Sequence, residues 1–378
     1  MFRGYLLFIK NGGLLMAWQL GRVVTWRPLP LLRNLLLLLG LVLFFVYLQL
    51  QWLGLLLDEI IFHRYRQVKV TRPLFVVGAP RSGTTFLQRS LASDPQFTTT
   101  TLAECLLTPS ITARYCGRAL AWCLRPLQSL AGKIKPRWLQ AMDSIHPLGL
   151  GEPEEDFLLL LPIFSCFILM VLFPGNRRLW RLAHFDSQLT EHEREIIMCF
   201  YRRMVQRHLY VHGEEKTYLA KNPSFTGALA SFQHHFPDAT FVACVRQPEE
   251  VFASQLSSLK PALSLLGYDW QAAEFQADVA AMLRYYFAQI EQQASARSPV
   301  LVVEIEQLKY RLLEGLHNLY EKAGLPLTEE LLAVYQPLAQ ANKKYQSSHK
   351  YPEASAKLNV AWPLAVANSL YPASERTL

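Results

Sequence analysis

The segment Leu74–Asp94, LFVVGAPRSGTTFLQRSLASD, leaves the chain few folds to choose from. Leu74 to Val77 is a short apolar run with the length of a buried strand, and from Phe86 to Leu91 the apolar spacing turns helical. Gly78 to Thr85 is therefore a strand-to-helix loop, a place where anions bind in α/β folds. Gly78 and Gly83 permit a tight turn, so backbone N–H groups and the positive end of the helix dipole converge on one point. Ser82, Thr84 and Thr85 add hydroxyl donors. The loop is shaped for a phosphate or a group like it.

Aligned on the nucleotide-binding loop G-x-x-x-x-G-K-[ST], this one reads Gly78-Ala79-Pro80-Arg81-Ser82-Gly83-Thr84-Thr85. Thr84 stands where the lysine should be, which removes the point charge such enzymes place on the β and γ phosphates. The loop's cation is instead Arg81. This argues against an ATPase, GTPase or kinase and favours another group carried on a nucleotide.

With 378 residues, 51% hydrophobic content and a net charge of +8, the chain divides naturally into one catalytic domain and an apolar segment. The positive excess suits an anionic ligand or membrane surface. Residues 1–33 mix apolar residues with Arg3, Lys10, Arg22, Arg27 and Arg33 and carry Trp18 and Trp26, an interfacial composition. From Asn34 to Leu57 no residue is charged, and roughly 20 apolar residues suffice for a transmembrane helix. We therefore assign residues 1–69 to a membrane-anchoring segment with a transmembrane helix at about 34–57, residues 70–350 to the catalytic domain, and 351–378 to a tail. The six cysteines form no C-x-x-C pair and indicate neither a zinc cage nor a disulfide framework, which fits a reducing compartment.

Further strands are expected at Thr217–Ala220, Thr240–Val245 and Pro299–Glu304, separated by helical patterns at 226–236, 249–259 and 270–293. Alternation of this kind predicts a P-loop-like parallel sheet flanked by helices, with ligands at the carboxyl ends of the strands. A second apolar run, Phe157–Phe173, is interrupted by Pro162 and is expected as a buried helix or an acceptor-facing surface, not another span. The acids before it, Glu152, Glu154, Glu155 and Asp156, read as N-terminal helix chemistry in preference to an acid/base or metal cluster.

Arg246-Gln247-Pro248 ends the third of these runs, and Ser254 lies two turns into the next helix, so a guanidinium fork and a hydroxyl can meet one anion. Together with GAPRSGTT this resembles the sulfotransferases that use 3′-phosphoadenosine 5′-phosphosulfate (PAPS), whose R-D-P element has its aspartate replaced here by Gln247. Ala220-Lys221-Asn222-Pro223, the run HHFPDATFVACVRQP and Glu304-Ile305-Glu306-Gln307-Leu308 extend the likeness to about residues 72–350. They bring it nearest to the bacterial membrane-associated and tyrosylprotein branches, with Ile305 where a Y-E-x-L element has its tyrosine.

The resemblance implies that Arg81, Ser82, Gly83, Thr84 and Thr85 hold the 5′-phosphosulfate and that Arg246 and Ser254 hold the 3′-phosphate. Arg81 and Lys221 would face the leaving oxygen, and Glu104, at the matching place after the first helix, would be the base. It implies an anionic nucleotide donor, a hydroxylated lipid, glycan or protein acceptor beside a membrane, no metal and no nucleic acid. For a bacterial source the catalytic domain is expected in the cytoplasm. His208 and His212 have the spacing of a metal-binding helix pair but lack a third ligand in sequence, His234 and His235 suit a helix end, and His146 stays open as an alternative base. The basic stretch Asn342–Tyr345 with His349–Tyr351 either closes over the nucleotide or is a solvated face. A kinase or NTPase and a catalytically silent membrane module are the rival readings.

Overall fold

Five parallel strands make one sheet in the order β2-β3-β1-β4-β5, where β1 is Leu74–Gly78, β2 Phe97–Thr98, β3 Thr217–Lys221, β4 Thr240–Val245 and β5 Leu301–Glu304. The computed structural model describes residues 1–23, 28–119, 151–294, 300–344, 358–362, 364 and 369–371. His146 and Cys123 fall outside these residues, as do Tyr345 to Lys357 and most of the expected tail.

Alternation along the strands explains why both faces are covered. Phe75 and Val77 of β1 and Phe241, Ala243 and Val245 of β4 point into one apolar core, whereas Leu74, Val76, Val242 and Cys244 point into the other. The second core is closed by α3 (Thr84–Leu91), through Leu87 and Leu91, and by a helix at Leu312–Ala323, through Leu312, Leu316 and Leu319. The first is closed by Tyr201, Met204 and Val205 from the long helix Glu191–His212, together with Val279, Leu283 and Tyr286 from Ala273–Ala294.

The four strands expected from sequence are present to within a residue or two; β2 is an addition, two residues long and too short to leave a pattern. Phe157–Phe173 is not one helix: a 3-10 segment, Asp156–Ile163, is wholly buried, and a short turn of helix follows at Leu169–Leu172. Pro162 and the left-handed Phe164 (φ 48°) break it.

At the N-terminus, α1 (Phe2–Val23) and α2 (Pro28–Ile61) form an antiparallel pair. Among the described residues, α2 is the one helix long and apolar enough to cross a membrane. Both helices also join the domain's core: Phe8, Leu41, Leu48, Trp52 and Leu55 are buried in the cluster that covers the sheet. At Gly12 the two helices touch closely, since a Cβ there would meet the Phe45 ring at 2.8 Å.

Candidate active site

Every strand-end motif of the sequence arrives at one edge of the sheet, because parallel strands point their carboxyl ends the same way. The central loop is set by crowding between β1 and β4. A Cβ on Gly78 would lie 2.1 Å from the carbonyl oxygen of Cys244, so only glycine (φ 118°) fits. The Thr226 hydroxyl accepts from the Gly78 N–H at 2.8 Å and donates to the Gly78 carbonyl at 2.9 Å, which fixes the exit of β1. Arg81 (φ 65°) and Gly83 (φ 87°) are left-handed, and Gly83 caps α3, whose N-terminus therefore opens into the loop.

The expected cation sites converge here. Arg81 Nε donates to the Ser254 hydroxyl at 3.3 Å, joining the loop directly to the helix Pro248–Leu265. Arg246 pairs with Glu250 one turn on, at 2.6 Å from Nε. Lys221, at the end of β3, is buried and donates to Glu155 Oε1 at 2.8 Å.

Around these groups lies a cleft of about 860 Å³, lined on its polar side by Arg81, Gly83, Thr84, Thr85, Glu155, Arg246 and Ser254. Its other wall is apolar, with Phe157, Phe167, Ile168, Val171, Leu259 and Met282. The chemistry of this donor set, guanidinium groups and hydroxyls beside a helix N-terminus, fits an anionic ligand. Ser82 Oγ supports the fit: it is fully buried and has no hydrogen-bond partner, an orphaned donor beneath the loop. Asn342 also lines the cleft, so one residue of the basic stretch reaches the site. Ile305 lines it too, packed 3.2 Å from where a Gly83 Cβ would be.

Glu104, expected as the base, does not line the cleft. It sits at the third position of the short helix Leu102–Leu106, in a capping box with Thr101, and its Oε1 lies 2.5 Å from His212 Nε2. Arg114 approaches it at 3.5 Å and His208 at 3.6 Å. Burial pushes this carboxyl up, but the His212 hydrogen bond and the neighbouring Arg114 guanidinium outweigh it and hold the group well below the usual carboxylate range. In this arrangement its partners are Thr101, His212, Arg114 and His208. Glu104 joins His208 and His212, and the three have possible ligand atoms within 4.8 Å of one another. Arg114 Nη1, 3.4 Å from His208 Nδ1, brings a buried cation to the same place.

The carboxylate that does reach the site is Glu155, whose sequence neighbours suggest helix-end chemistry instead. Its segment is carried there by pairing with the end of β2: Glu154 N donates to Thr100 O at 3.1 Å, and Pro153 bridges to Thr101. Next to it, Asp156 is fully buried and accepts from the Tyr201 and Tyr218 hydroxyls, an anchor that sequence spacing does not reveal. Burial, partly opposed by those two hydrogen bonds, pushes its carboxyl up to about 7.

Comparison with known proteins gives a consistent answer. A family model described as the sulfotransferase family matches residues 73–329. The chain is 30% identical over 186 residues to the omega-hydroxy-beta-dihydromenaquinone-9 sulfotransferase Stf3 of Mycobacterium bovis and of Mycobacterium tuberculosis. That match covers 49% of this chain and 44% of the relatives, so the aligned part spans under half of their length. Among solved structures, sulfotransferase STF9 from Mycobacterium avium superposes with a TM-score of 0.63 at 16% identity, covering 90% of this chain and 87% of that one. STF1 from Mycobacterium tuberculosis gives 0.54 at 20% identity, with coverage of 87% and 83%. These two show the fold.

Proposed function

The chain belongs to the sulfotransferase family, and on that premise we propose that it transfers a sulfuryl group from PAPS to the hydroxyl of a lipid at a membrane. The convergence of the 78–85 loop, Arg246, Ser254 and Glu155 on one cleft, with Lys221 buried behind Glu155 and bonded to it, carries this reading. Ser82, Gly83, Thr84 and Thr85 would hold the 5′-phosphosulfate with Arg81, and Arg246 with Ser254 the 3′-phosphate. The donor supplies an activated sulfuryl group, and no metal is needed for the steps assigned to the protein.

Glu155 is the base in this proposal. Its carboxylate takes the acceptor's hydroxyl proton as the oxygen bonds to sulfur, while the bond from sulfur to the phosphate oxygen breaks. Lys221, 2.8 Å from Glu155, is placed to stabilise the charge that develops on that leaving oxygen, with Arg81 on the loop side. The apolar wall favours an acceptor with a hydrocarbon body, consistent with the hydroxylated dihydromenaquinone for which the curated relatives are named. In this proposal α1 and α2 attach the domain to the membrane, and in a bacterial cell the domain faces the cytoplasm.

The test is Glu155→Gln assayed with radiolabelled PAPS and membrane lipid extract. Turnover should fall by about 10²- to 10⁴-fold while binding of 3′-phosphoadenosine 5′-phosphate (PAP) survives. Undiminished turnover would remove Glu155 from the mechanism.

A further inference from the structure

We propose that α1 and α2 bind one leaflet of a bilayer lying along its surface, and do not cross it. This rests on the membrane attachment proposed above and specifies its geometry. The first observation is a buried stripe along α2: Asn34, Leu41, Leu48 and Leu55, seven residues apart, are each at most 4% exposed, Asn34 bonded to α1 through the Arg22 carbonyl and the three leucines joined to the domain's apolar core. Trp52 donates from its indole to the Pro162 carbonyl at 2.7 Å, and Phe8 and Phe45 stack against Phe164. The helix is held to the domain at these points and otherwise packs on α1, which itself lies against the Asp156–Ile163 segment and the Glu191–His212 helix.

Both ends are tied to that same body. Near the start, Arg33 donates to the Gly267 carbonyl at 2.8 Å and covers the Tyr268 ring at 4.6 Å. Near the end, Asp58 accepts from the Ile111 and Thr112 N–H groups and from Arg207, at 2.8 to 2.9 Å. At 1.5 Å per residue, Arg33 and Asp58 are about 38 Å apart, farther than the roughly 30 Å hydrocarbon core. A crossing helix would put these anchors on opposite sides of the membrane and drag the body that holds them through it.

The outward stripe says what it meets. Leu36, Leu39, Leu43, Val46, Leu50 and Leu53 are all more than half exposed and follow helical spacing, forming a continuous apolar face. No acid precedes Asp58, while Arg3, Lys10, Arg22, Arg27 and Arg33 do, the charge complement of anionic headgroups. Trp18 lies under Arg22 at 5.2 Å, an amphipathic pair suited to the headgroup level. The stripe also adjoins the site: the Leu172 carbonyl accepts from Tyr268, beneath Arg33, and Ile168 one turn earlier lines the cleft while 42% exposed. An acceptor can therefore pass from the leaflet to the cleft without entering water.

The experiment uses full-length protein with Cys116, Cys123 and Cys199 replaced by serine. Single cysteines are placed as Gly21→Cys before α2, Arg64→Cys after it and Arg284→Cys on the catalytic domain, all at exposed positions. Sealed vesicles are treated with a membrane-impermeant maleimide before and after permeabilisation. All three positions should react from one side. Reaction of Gly21→Cys and Arg64→Cys from opposite sides would overturn the proposal while leaving membrane attachment intact. Flotation with anionic liposomes is the second arm, where Leu43→Glu with Leu50→Glu should cut binding at least about tenfold. Failure of the parent protein to float, or its recovery as a dimer with the stripe covered by a second copy, would overturn both the geometry and the attachment.

Discussion

Glu104 and Glu155 differ both in what sequence suggests of them and in what surrounds them in the fold. Glu104 matches a family position by count, yet it is committed to Thr101 and His212. Glu155 is reached only through a pairing between segments remote in sequence, which no local pattern announces. Glu104→Gln should cost on the order of 2 kcal/mol, seen as a lower Tm, and leave turnover of the folded enzyme nearly unchanged. Loss of turnover at unchanged Tm would return it to the mechanism. Because its carboxyl is depressed, its contribution is present above the unfolded pKa and disappears as pH falls through the folded one, so this pair protects the fold at neutral pH and fails in strong acid. Asp156 behaves oppositely. Raised to about 7, it favours the protonated folded state, so stability declines as pH climbs from roughly 4 to 7. Asp156→Asn should flatten that decline in a Tm-against-pH series; an unaltered slope would show that Asp156 is not its source. Arg246→Ala should weaken PAP far more than an analogue lacking the 3′-phosphate, and equal losses would contradict that assignment.

The element that organises the site, β1 with its loop and α3, was legible because its apolar run, glycines and hydroxyls agree with one another. Parallel strands covered on both faces leave continuous apolar runs, so β1, β3, β4 and β5 could be placed from sequence, while the two residues of β2 could not. Thr226, which clamps Gly78, was invisible for a related reason: its role depends on a strand neighbour 148 positions away. The same crowding makes a firm prediction. Gly78→Ala forces a Cβ to 2.1 Å from a backbone oxygen and should abolish the folded protein or lower Tm by many degrees. A soluble variant with unaltered Tm would show that β1 and β4 can part at their ends, contrary to the register Gly78 to Cys244.

At the scale of the molecule, the apolar N-terminal helix was plain in the sequence, since an uncharged leucine-rich stretch of that length is rare away from membranes. What the stretch packs against was not, because leucine is equally suited to lipid and to a protein core; polar contacts such as those of Trp52, Asp58 and Arg33 reveal the attachment. The fold and the family stand together with a cleft that offers cations and hydroxyls at one end and an apolar wall at the other. In the proposed function this cleft takes a 3′-phosphorylated adenine nucleotide. Calorimetric titration of the detergent-solubilised protein with PAP and with ADP, each with and without Mg²⁺, tests it most directly. Binding of PAP that is indifferent to Mg²⁺ and much tighter than that of ADP is the predicted result. Preference for a Mg²⁺ complex of ADP, or no binding of PAP, would contradict it.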